Sequence, residues 1–149
     1  MPGVETAAVA VLDASVAVKW VVDESHSEAA AELLERPIRW IAPRLMLVEA
    51  AATLRRKVAQ RELRATGAAG SLRALLDAVR EGAIRLVEDE HVVDAALLLA
   101  LELSHKLPDC LYLALAEREG CELCTADRPL ARLARARRVR VLAVGAATA

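Results

Sequence analysis

Phenylalanine is missing from the 149 residues, and the other aromatics amount to Trp20, Trp40 and Tyr112. Platforms that stack single-stranded bases need several exposed rings, so that mode of nucleic-acid binding is excluded. The core must be built from Ala, Leu and Val. Cysteine is scarce, with Cys110, Cys121 and Cys124 alone. An odd, small number argues against a disulfide framework and for a reducing compartment. Neither sign of charge dominates: 20 Lys and Arg stand against 21 Asp and Glu, a net of −1. Total charge therefore does not announce a nucleic-acid partner. Long hydrophobic runs are also lacking. The longest, Ala95 to Leu101, falls far short of the ~20 residues a membrane helix needs. The opening residues lack the basic start and cleavage site of a secretory leader. A cytoplasmic protein without membrane association is expected. With 56% hydrophobic residues, the chain can bury a core of its own as a single domain over residues 1–149.

What is present is an alternation of short β-like and helical runs. Strands are expected at Ala7–Leu12, Ile38–Ile41, Ile84–Val87, Glu122–Thr125 and Val139–Val144. Between them the pattern predicts helices over Ala14–Val22, Ser27–Glu35, Pro43 to about Arg61, Ser71–Arg80, residues 90–103, Pro108 to Gly120, and from Asp127 onward. Pro43 is read as a first-turn residue, and Gly67 and Gly70 as an interruption before the fourth helix. Buried strands alternating with helices predict an α/β domain with a parallel sheet.

In such a sheet ligands bind beyond the carboxyl ends of the strands. Asp13 directly follows the first strand and Asp127 follows the fourth by two residues. Asp109 opens a helix that must end where the fourth strand begins, so its start lies back on the same edge. Glu49 falls among Leu45, Val48 and Ala52 on its helix, within an apolar stripe. A carboxylate buried there costs several kcal/mol, as an order of magnitude, unless an arginine or a metal compensates. Each Asp taken singly also reads as an N-cap. Four acids gathered together would repel one another, and a divalent cation removes that repulsion. Oxygen-only ligands suit Mg²⁺ or Mn²⁺ better than Zn²⁺, and such a site suits phosphoryl chemistry through a metal-activated water.

These segments resemble the PIN-domain family, and in particular the VapC toxins of toxin–antitoxin pairs. Val11-Leu12-Asp13-Ala14-Ser15-Val16-Ala17-Val18-Lys19-Trp20 resembles the first family motif and Val48-Glu49-Ala50 the second. Leu107-Pro108-Asp109-Cys110-Leu111-Tyr112-Leu113-Ala114-Leu115-Ala116 resembles the third, and Thr125-Ala126-Asp127 the fourth. The likeness runs from about residue 9 to residue 143. It implies a three-layer sandwich around a mostly parallel five-stranded sheet. It also implies an endoribonuclease dependent on Mg²⁺, with Mn²⁺ as a substitute, that leaves a 5′-phosphate. Asp13 and Asp109 would be the main metal ligands, Glu49 and Asp127 would complete the acidic pocket, and Ser15 and Thr125 would orient carboxylates. The resemblance further implies a homodimer silenced by a small cognate antitoxin. An RNA-processing nuclease without an antitoxin is the alternative.

Other features read as structural. Cys121 and Cys124 span a strand, with no second pair to complete a zinc site, and read as packing residues. His105 reads as a surface residue. Lys19 reads equally as a phosphate contact or a solvated lysine. Arg128, Arg132, Arg135, Arg137, Arg138 and Arg140 crowd the last quarter as a solvated or locally basic face. The run around Leu97–Leu101 reads as core or dimer surface. A phosphoacceptor receiver would need an acidic pair after strand one and a late lysine, and no Lys follows Lys106. A dehalogenase-like phosphatase would need Asp where Ser15 stands. A non-catalytic interaction module would bind without metal and tolerate loss of Asp13.

Overall fold

A computed structural model of the chain describes residues 6–149; the first five residues of the expected domain lie outside that range. The chain runs β1 (Ala8–Leu12), α1 (Ala14–Val21), α2 (Ser27–Glu32), β2 (Ile38–Pro43), α3 (Leu45–Ala59) and α4 (Ala65–Arg80). It continues through β3 (Ile84–Val87), α5 (Val93–Leu103), α6 (Leu107–Glu119), β4 (Glu122–Thr125), α7 (Arg128–Ala136) and β5 (Val141–Ala143). The strands form one sheet in the order β3-β2-β1-β4-β5, every pairing parallel. The first three strands step one way across the sheet. The chain then returns to β4 on the far side of β1 and steps the other way. Right-handed crossovers therefore place α1, α3 and α4 on one face and α5 and α6 on the other. The packing agrees: α1, α3 and α4 touch one another, while α6 lies across β1, β2 and β4 and carries α5. The result is the α/β three-layer sandwich expected.

The core follows the composition. Val11, Leu12, Val16, Leu113, Leu115, Leu123 and Leu130 are fully buried. Helix α6 is sealed from Asp109 to Ala116, so it is a central helix with no solvent stripe. Trp20 and Trp40 meet edge to face with ring centroids 5.1 Å apart, a favoured aromatic geometry. Among the described residues, no helix is long and apolar enough to cross a membrane. The three cysteines are free, with Cys110 and Cys124 buried.

Three local expectations are corrected. Pro43 ends β2, opposite Val87, instead of opening α3. The expected helix Ser27–Glu35 is α2 followed by a tighter turn over Leu33–Glu35. Gly67 and Gly70 lie inside α4, which starts at Ala65. Each helical glycine costs about 1 kcal/mol relative to Ala. That is outweighed by a stripe of Ala68, Leu72, Leu75 and Val79 packed on the core, spaced as a helix face requires.

A Cβ at Gly70 would meet nothing within 4 Å. Gly70→Ala is therefore expected to stabilise the protein by roughly 0.5–1 kcal/mol. Urea denaturation would check this; a lower midpoint at unchanged m-value would contradict the placement.

Candidate active site

The chain departs from β1 and from β4 in opposite directions, so their carboxyl ends flank the topological switch point of the sheet, where ligands of open α/β sheets bind. Asp13 leaves the end of β1 and Asp127 follows the end of β4. The backbone N–H of Asp13 continues the ladder by donating to the Cys124 carbonyl at 3.0 Å. Asp13 and Asp127 hold the N-cap positions of α1 and α7, yet neither side chain caps its helix. Asp109 lies in the first turn of α6, also without capping it. The capping reading of the three aspartates is thereby set aside.

Asp13 is held by two hydroxyls. Ser15 Oγ donates to Asp13 Oδ2 at 2.6 Å and Thr125 Oγ1 donates to the same oxygen at 2.7 Å. Each hydroxyl is itself oriented by a backbone amide: Ala126 N–H donates to Ser15 Oγ at 3.0 Å, and Asp127 N–H donates to Thr125 Oγ1 at 2.9 Å. Both hydroxyls therefore have their proton directed at the carboxylate. Asp109 Oδ2 lies 2.7 Å from His105 Nε2 and 3.6 Å from Lys106 Nζ. Glu49 Oε1 accepts the Tyr112 hydroxyl at 2.5 Å.

One cleft of about 510 Å³ is lined by Asp13, Ser15, Glu49, Asp109 and Asp127, with Lys106 beside them. Burial pushes the Asp13 carboxyl up to about 6, against the pull of Ser15 and Thr125, with Glu49 and Asp109 adding repulsion. Burial raises Glu49 and Asp127 as well, and Asp109 repels both. The acids therefore feel one another. Among the described residues, however, no three His, Cys, Asp or Glu side chains already form a metal-holding group. The hydrogen bonds occupy one oxygen each of Asp13, Asp109 and Glu49. No buried side-chain N or O among the described residues lacks a partner, so the remaining oxygens of these carboxylates open to solvent.

Several placements differ from the sequence reading. Val48 is 66% exposed, and the buried stripe of α3 is Met46, Ala50 and Leu54. Glu49 flanks that stripe, half-buried, and its compensation is a phenol rather than an arginine. Tyr112 went unassigned; it lies one turn beyond Asp109 in α6 and is fully buried. A lone Tyr in a Leu-rich helix is the signal that finds it, because a buried hydroxyl needs a partner. His105, read as a surface residue, meets Asp109. Of the late arginines, Arg128, Arg132 and Arg138 are exposed as a solvated face requires, while Arg137 pairs with Glu117, Arg135 donates to the Ala147 carbonyl at 3.0 Å, and Arg140 reaches Glu122 at 3.8 Å. The cations of the cleft are Lys19, Arg56, Lys57 and Lys106 instead.

The Asp13 shift has a consequence for stability. A folded pKa of about 6 against 3.8 unfolded means the folded chain holds more protons between those values, so its stability falls as pH rises through that window. Above it, the ionised carboxylate costs roughly 3 kcal/mol in the metal-free protein. Asp13→Asn is expected to raise the metal-free melting temperature at neutral pH and to flatten its dependence between about pH 4 and 6. A variant that melts lower than wild type at neutral pH would contradict this account.

A search of curated protein sequences finds no match. Solved structures share the fold at low identity. PAE2754 of Pyrobaculum aerophilum is 23% identical, with a TM-score of 0.63 over 85% of this chain and 79% of that one. A toxin–antitoxin complex from Klebsiella pneumoniae is 16% identical, with a TM-score of 0.58 over 80% and 87%. VapC20 of Mycobacterium tuberculosis, described as a sarcin–ricin-loop-cleaving toxin, is 14% identical, with a TM-score of 0.64 over 83% and 94%. The PIN-domain family model matches residues 10–136. That match covers Asp13, Glu49, Asp109 and Asp127 alike, and the chain belongs to the PIN-domain family.

Proposed function

We propose that this protein is an endoribonuclease dependent on a divalent cation, acting as the toxin of a toxin–antitoxin pair. The observation that carries the nuclease reading is the single cleft at the switch point lined by Asp13, Glu49, Asp109 and Asp127. The donor set is all oxygen, which fits Mg²⁺ or Mn²⁺. A cation that keeps several waters and takes one or two carboxylates plus substrate phosphate needs no closed protein cage. Acids that share a cleft, each with an oxygen open to solvent, fit that mode. Asp13 and Asp109 would hold the ion, with Glu49 and Asp127 directly or through water. Bound there, it would supply neutralisation of phosphate charge and a more acidic water.

The protein's own residues do the positioning. Ser15 and Thr125 fix the rotamer of Asp13 through Oδ2 and leave its other oxygen for the ligand. Tyr112 does the same for Glu49. His105 and Lys106 tie down Asp109 on the α6 side. Lys106 also draws down the proton affinity of Glu49 and Asp127, against their burial.

The toxin reading draws support from the neighbours: one is described as a toxin–antitoxin complex and another as a sarcin–ricin-loop-cleaving toxin. RNA is the proposed substrate and a small antitoxin the proposed partner. A homodimer is favoured by α5, which leaves Leu97, Leu98 and Leu101 at least half exposed.

With transfer and ribosomal RNA as substrates, wild type should cleave in Mg²⁺. It should stop on chelation and resume with Mn²⁺, while Asp109→Asn should lose at least a hundredfold in rate as the order expected of a lost catalytic group. Chelator-resistant cleavage would sink the metal dependence, and full cleavage by the variant would sink the role of Asp109. In cells, expression of the chain alone should arrest growth and Asp13→Asn should relieve the arrest. Normal growth with abundant soluble wild type would favour an RNA-processing enzyme without an antitoxin.

A further inference from the structure

The cleft has two electrical ends. Near the switch point stand Asp13, Glu49, Asp109 and Asp127 with Lys106; the other end holds Lys19, Arg56 and Lys57 with Glu24. Three cations there face one carboxylate. Helix α3 spans both ends. Glu49, Thr53, Arg56 and Lys57 recur at steps of four, seven and eight residues from Glu49, so they share one side of the helix. Eight residues at 1.5 Å each put Lys57 about 12 Å along the axis from Glu49.

The two lysines are unusually enclosed. Their side chains are 13% and 15% exposed, whereas lysine is ordinarily a surface residue. Both reach Glu24: Lys19 Nζ lies 3.2 Å from Oε1, and Lys57 Nζ pairs with Oε2. Lys19 also donates to the Ser25 carbonyl at 2.8 Å. Glu62 touches Lys57 at 3.4 Å but is 54% exposed and lies outside the cleft, where an ion pair counts for little. Arg56 has no ion pair among the described residues. Lys19 and Lys57 are held by Glu24, but Arg56 is exposed on the same side of α3, so this end of the cleft presents net positive charge to whatever enters it. None of the four acids at the other end pairs with Lys19, Arg56 or Lys57.

We infer that Lys19, Arg56 and Lys57 form a seat for a backbone phosphate of the RNA strand, set apart from the cutting site along α3. This rests on the nuclease reading. The seat lies about 12 Å from Glu49 along the axis of α3. Contact with phosphate carries no base preference, so the seat sets how the strand lies across the acids, not which base is cut. Glu24 holds the two ammonium groups apart and competes with the phosphate for them.

The test is binding of a fluorescent single-stranded RNA oligomer to the whole protein in EDTA, followed by anisotropy across a salt series. Lys57→Gln leaves Lys19 to pair with Glu24, so the variant should remain folded, melting no lower than Glu24→Gln. Its affinity should fall about tenfold, and the slope of log affinity against log salt should shrink by about 0.7, one phosphate contact on a single strand. Lys57→Arg should bind like wild type. Glu24→Gln should bind RNA more tightly and melt lower, the reverse of what loss of a purely structural contact would do to binding. Wild-type affinity and slope in Lys57→Gln, or weaker binding in Glu24→Gln, would overturn the seat. Cleavage is scored separately in Mg²⁺. Cleavage without dependence on Lys57 removes the seat alone; lysine-dependent binding without cleavage removes the nuclease reading alone.

Discussion

The site depends on two hydroxyl bridges between the ends of β1 and β4. Ser15 and Thr125 each accept a hydrogen bond from a backbone N–H just after β4 and donate one to Asp13 at the end of β1. With both hydroxyls committed in this way, the Asp13 carboxylate has a fixed rotamer in a place where burial alone would favour its protonated form. The bridges also join two strands whose chains immediately diverge.

Charge repulsion is the opposing force. Burial and mutual repulsion raise Asp13, Glu49 and Asp127 together, so the metal-free cleft holds its acids at a cost in stability. The rigid sheet edge makes that tolerable. Three of the four acids come from the first residues after a strand or from the first turn of a helix: the Asp13 backbone continues the ladder, the Asp127 N–H is bonded to the Thr125 hydroxyl, and Asp109 is set by the start of α6. Glu49 comes from the middle of a helix and needs the phenol of Tyr112 to hold it. The same helix then carries its side toward Lys57, so one element sets the separation between the acidic and basic ends of the cleft.

Much of this was readable in the sequence. The sheet and its parallel sense followed from short buried runs between helices. The shared edge of Asp13, Asp109 and Asp127 followed from where each stands relative to β1, α6 and β4. What escaped reading was decided by tertiary contact. Gly67 and Gly70 continue a helix because Leu75 is buried and Leu72 partly buried where α4 packs on α1 and α3, a gain that no local propensity records. Val48 faces solvent because the helix is rotated to bury Met46 and Ala50, and a one-residue rotation is invisible in a stretch where nearly every residue is apolar. The neutralisation of Arg137 by Glu117 depends on how α6 lies against the segment after α7, which a linear charge pattern does not encode; the His105 contact with Asp109, by contrast, is an i to i+4 spacing that the sequence carries.

Tyr112 is the only tyrosine in the chain, and its hydroxyl ends on Glu49. The protein thus carries one natural reporter for one carboxylate. Isotopic labelling of tyrosine alone would place the signals of a single ring in an NMR spectrum, from a buried position behind Glu49. That signal would register any change in the charge borne by Glu49, whether from a proton, an ion or a strand entering, with no foreign group introduced.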